Sequence, residues 1–91
     1  AQCFHMLRRQ VKRDFRKPLV VMTPKSGLRA EHIKSPVADL TRGHFREVLG
    51  DSAVDAASVK RVIVCSGKVY HDLAKERQDK GIKDVALVRL E

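Results

Sequence analysis

Residues 59–91 decide the fold: Val59-Lys60-Arg61-Val62-Ile63-Val64-Cys65-Ser66-Gly67-Lys68-Val69-Tyr70-His71-Asp72-Leu73-Ala74-Lys75-Glu76-Arg77-Gln78-Asp79-Lys80-Gly81-Ile82-Lys83-Asp84-Val85-Ala86-Leu87-Val88-Arg89-Leu90-Glu91. Arg61 to Cys65 is a β-branched run, Ser66-Gly67 interrupts it, and Val69, Tyr70, Leu73 and Ala74 recur at helical spacing. Ser66 is placed to cap that helix, Gly81 to end it, and Val85 to Leu90 is a second strand. Two apolar strands joined through a helix require a crossover and parallel pairing, because a tight hairpin has no room for a helix.

Upstream, Cys3, Phe4, Leu7, Val11 and Phe15 share one side of a helix predicted over residues 1–15. Arg8, Arg9, Lys12, Arg13, Arg16 and Lys17 fill the opposite side, which reads either as a solvated face or as a docking face for anions. Pro18 stops the helix, and Leu19-Val20-Val21-Met22 has the length and apolar continuity of a strand buried on both faces. Thr23 to Arg29 then leaves as a loop, in which Lys25, Ser26 and Arg29 can contact an anion or merely carry exposed charge. Ser35, Pro36, Asp39 and Gly43 bracket a short helix, and His44 to Leu49 alternates imperfectly as a weak strand. With Leu19 to Met22 counted, three parallel strands lie between helices. The expected fold is therefore three-layer α/β, a mostly parallel sheet with flanking helices.

Ninety-one residues suffice for one small core. Nineteen Lys and Arg against eleven acids give a net charge of +8, which favours acidic partners. A free-standing basic α/β module binding nucleic acid or another polyanion fits that excess. One Tyr, three Phe and no Trp leave it few rings on which to stack bases. Cys3 and Cys65 have no metal or redox spacing and read as inert core thiols in a reducing compartment. No apolar run approaches the length of a membrane span, and the absence of an initiator Met suggests a piece of a longer chain.

Motifs for chemistry are incomplete. Ser66-Gly67-Lys68 lacks the upstream Gly and the following Ser or Thr of a phosphate loop. His5, His32, His44 and His71 form no His-x-x-x-His pair, and neither Ser26 nor Ser66 sits in a nucleophile elbow. No catalytic, cofactor-binding or metal-ligating residue is assigned.

Four blocks do carry a resemblance: Phe4-His5-Met6-Leu7-Arg8-Arg9-Gln10; Arg16-Lys17-Pro18-Leu19-Val20-Val21-Met22-Thr23-Pro24-Lys25-Ser26; Cys65-Ser66-Gly67-Lys68-Val69-Tyr70-His71-Asp72-Leu73; and Val85-Ala86-Leu87-Val88-Arg89-Leu90-Glu91. In this order and spacing the chain resembles the 2-oxoglutarate dehydrogenase E1 family and its relative acting on 2-oxoadipate. It departs from the family after Ser26, where Gly27-Leu28-Arg29-Ala30-Glu31 stands in place of Leu-Leu-Arg-His-Pro. The resemblance implies a homodimeric thiamine diphosphate and Mg²⁺ enzyme that decarboxylates a 2-oxo acid and acylates the lipoyl group of an E2 partner, in a complex with E3. It further implies that residues 1–23 end a pyrimidine-binding domain, 24–43 link, and 44–91 begin a transketolase-like C-terminal domain. The catalytic histidines and metal ligands would lie upstream, so this stretch alone would bind no cofactor and would be inactive. A bacterial cytoplasm or a mitochondrial matrix is the implied compartment. The basic set Arg9, Lys12, Arg13 and Arg16 is expected to face an acidic E2, and Lys25 and Arg29 an anionic effector.

Overall fold

A computed structural model describes the backbone of residues 1–91 and every side chain except that of His32. The chain divides into two compact units, residues 1–46 and 47–91.

The second unit is built on β3 (Val85–Leu90), which lies between β1 (Val48–Leu49) and β2 (Arg61–Ser66). β2 pairs with it in parallel, Arg61 opposite Val85 through Ser66 opposite Leu90, as the crossover through α3 (Lys68–Asp79) requires. β1 pairs antiparallel, with Val48 opposite Leu90 and Leu49 opposite Arg89. The sheet is thus mixed and three-stranded, with α3 packed on β2 and β3. The core is small and centred on β3, where Leu87 is 1% exposed and its neighbour Ala86 is also buried. Adjacent residues point to opposite faces of a strand, so both faces of β3 are covered there.

Glycine ends α3 as expected. Gly81 has φ +63°, its N–H donates to the Gln78 carbonyl at 3.1 Å, and Ile82 N–H reaches the Arg77 carbonyl at 3.0 Å. That pair of bonds is the Schellman closure, which satisfies the last carbonyls of the helix. At the other end the N-cap is Gly67 and not Ser66, and no side chain caps the helix.

β1 is only two residues long, so β3 runs on beyond it with N–H and C=O groups facing the side β1 has vacated. Side chains take over that ladder. The Asp51 carboxylate accepts the Leu87 N–H at 2.8 Å, and the Arg77 guanidinium donates to the Val85 carbonyl at 3.0 Å. Asp51 and Arg77 are also ion-paired with each other, their side chains only 4% and 12% exposed. Ala53 N–H adds a third donor to Asp51 at 3.0 Å. Burial pushes the Asp51 carboxyl up, but the bonds from Arg77, Leu87 and Ala53, with the Arg77 charge, outweigh it and hold the group below its ordinary value of 3.8.

The first unit joins α1 (Gln2–Lys12) to α2 (Val37–Arg42) and the segment that follows it. The Ala1 ammonium donates to Ser35 Oγ at 2.6 Å. Gln2 Nε2 donates to the Arg46 carbonyl at 2.6 Å while its Oε1 accepts Arg46 N–H at 3.1 Å. Buried His5 donates from Nε2 to the Asp39 carbonyl at 2.7 Å, and the Arg9 guanidinium lies 4.0 Å from the centroid of the Phe45 ring. These residues lie on one side of α1, so the held side is polar.

Several expectations need correction. The sheet is mixed: β2 pairs with β3 in parallel as expected, whereas β1 adds an antiparallel strand where parallel pairing was expected. Leu19 to Met22 is not a strand: it is extended and exposed, Met22 to 91%, because a strand exists only by pairing and no described segment of the first unit pairs with it. α1 stops at Lys12, short of Phe15, with Arg13 already extended. Pro18 does not set this end: its ring acts on residue 17 and on the carbonyl of Asp14, both beyond the already extended Arg13. Phe4, Leu7, Val11 and Phe15 are exposed, the reverse of a core-facing stripe. Cys3 is exposed and Cys65 half-buried, so neither is a core thiol. The strand at 44–49 shrinks to Val48–Leu49, and the short helix begins at Val37 with Pro36 as its cap.

Substitutions at two positions test this account. Asp51→Ala strands the Arg77 charge and the Leu87 N–H, and is expected to cost about 3 kcal/mol in chemical denaturation. Because the Asp51 carboxyl titrates lower when folded, its contribution is fully present above pH 4. It is lost as pH falls through the lowered value, so a denaturation series should show the parent losing stability below pH 4 more steeply than Asp51→Asn. In the first unit, a Cβ on Gly43 would sit 2.3 Å from the Asp39 carbonyl oxygen and 2.9 Å from His5 Nε2. Gly43→Ala should therefore cost about 2 kcal/mol and shift the His5 ring signals in an NMR spectrum.

Candidate functional site

Charge is unevenly spread along the chain. Residues 1–30 hold eight Lys and Arg and a single acid, Asp14, whereas residues 31–91 are close to balanced. Nearly the whole positive excess therefore belongs to the stretch that begins with α1, and any acidic partner meets its strongest field there.

The basic residues expected on one helical face are divided between two geometries. Arg9 and Lys12 lie on α1, while Arg13 and Arg16 follow its end, where Arg16 Nη1 donates to the Arg13 carbonyl at 2.8 Å. The Arg13 guanidinium and the Lys17 ammonium flank the Phe15 ring, 5.2 and 5.6 Å from its centroid. Gln10 Nε2 donates to the Lys17 carbonyl at 2.8 Å and folds the turn back on the helix end. An open apolar groove of about 430 Å³ results, lined by Gln10, Val11, Phe15, Arg16, Lys17 and Pro18.

Lys25 and Arg29 are the first and last residues of a five-residue 3₁₀ turn, and both are exposed. At three residues per turn, positions four apart point about 120° away from each other. An anion touching both must lie across the turn.

A further cluster that sequence reasoning did not single out gathers at the carboxyl ends of β2 and β3. The Arg89 guanidinium lies 4.9 Å from the Tyr70 ring centroid and is ion-paired with Glu91, close to where Lys68 opens α3. Its signal was positional: in open α/β sheets ligands favour the carboxyl ends of parallel strands. Among the described residues no three His, Cys, Asp or Glu side chains come together to hold a metal ion, and no helix is long and apolar enough to cross a membrane.

Comparison with known proteins gives the family. A family model described as 2-oxoglutarate dehydrogenase C-terminal matches residues 34–91. The 2-oxoglutarate dehydrogenase E1 component of Cupriavidus necator is 55% identical over 92 aligned residues, and that of Brucella ovis 48% identical over 102. Each match covers 100% of this chain and 10% of the relative, so the chain spans about a tenth of the length of the curated relatives it matches. The similarity extends over α1, its basic continuation and the βαβ unit alike, and on that basis the chain belongs to the 2-oxoglutarate dehydrogenase E1 component family.

Proposed function

We propose that these residues form a scaffold and partner-facing part of a 2-oxo acid dehydrogenase E1 subunit. That subunit decarboxylates 2-oxoglutarate and reductively succinylates the lipoyl group of an E2 acyltransferase, within a complex that includes E3. The observation that carries this reading is the 55% identity maintained across the whole chain. Residues 1–23 are assigned to the end of a pyrimidine-binding domain, 24–43 to a linker, and 44–91 to the start of a transketolase-like domain. The division of the chain between Arg46 and Glu47 supports a second domain opening near residue 44. The uncovered edge of β2, with Val62 and Val64 exposed, supports a larger three-layer sheet in the complete subunit. All the relatives named above are bacterial, which favours the bacterial cytoplasm over the mitochondrial matrix.

Thiamine diphosphate and Mg²⁺ belong to the proposed subunit, and the residues of this chain do not fit them. Mg²⁺ calls for clustered oxygen ligands, and no metal-holding group occurs among the described residues. The cofactor is assigned to other parts of a homodimer, and no step of the reaction is assigned to a side chain here. The part these residues take in function is electrostatic. Arg9, Lys12, Arg13 and Arg16 form a surface that attracts an acidic E2 lipoyl domain at long range, and Lys25 and Arg29 are the exposed cations proposed for an anionic effector.

The first test is turnover. The full-length polypeptide, supplied with thiamine diphosphate and Mg²⁺, should decarboxylate 2-oxoglutarate in the presence of an artificial electron acceptor. Activity on 2-oxoadipate alone would reassign the substrate, and no activity on either would sink the reading. The second test is charge reversal at Lys12 and Arg13, since Arg9 is tied to Phe45. Lys12→Glu with Arg13→Glu should slow reductive succinylation of E2 about tenfold at low ionic strength, with the difference shrinking as salt is added. Decarboxylation with the artificial acceptor should be unchanged, and equal slowing in both assays would remove the steering role.

A further inference from the structure

We draw no further inference here: the strongest candidate, the cluster of Lys68, Tyr70 and Arg89 at the carboxyl ends of β2 and β3, rests on the N-terminus of α3 and on two cations already ion-paired, Lys68 with Asp72 and Arg89 with Glu91, and nothing in the structure points to a ligand there.

Discussion

A buried carboxylate paired with a guanidinium on the open side of β3 is what the sheet of residues 47–91 depends on. Asp51 and Arg77 supply a strand's worth of hydrogen bonds without a strand, one accepting from Leu87 and the other donating to Val85. Ion pairs withdrawn from water are costly to form, and this one is viable because its donors and acceptors are matched by backbone groups that would otherwise go unsatisfied. It also ties three separate pieces together: the turn after β1, the last part of α3 and the centre of β3. With only Leu87 and Ala86 as buried apolar residues, a polar node of this kind carries more of the order than it would in a larger domain.

Residues 1–46 are held on a different principle. The Ala1 ammonium, the Gln2 amide, the His5 imidazole and the Arg9 guanidinium each find a partner between Ser35 and Arg46, and none of these contacts buries an aliphatic side chain. The polar side of α1 is thus engaged and its apolar side is left open. Exposed apolar stripes of this kind mark contact with further polypeptide, whether of the same subunit or of another.

The βαβ unit was legible because its signals are local. β-branched runs set the strands, 3.6-residue spacing set α3, and Gly81 closed it, so each element follows from residues within its own span. What could not be read locally was pairing. Leu19 to Met22 has the composition of a doubly buried strand, but composition supplies no ladder, and the first unit offers none. The same limit hid the Asp51–Arg77 node: Asp51 reads as a turn residue and Arg77 as one more surface cation in Lys75-Glu76-Arg77. Only the brevity of β1 makes them structural. Among the candidate site residues, Lys25 and Arg29 were identified by type, but their orientation depended on a 3₁₀ turn that the sequence pattern does not announce.

The outer flank of β2 carries one further consequence. Its six residues run without an internal proline or lysine, and its hydrogen-bonding groups on that flank face away from the other two strands. Natural sheets protect such margins with charge, proline or a covering element. Left bare at high concentration, this margin is a template on which copies of the isolated polypeptide can join side by side.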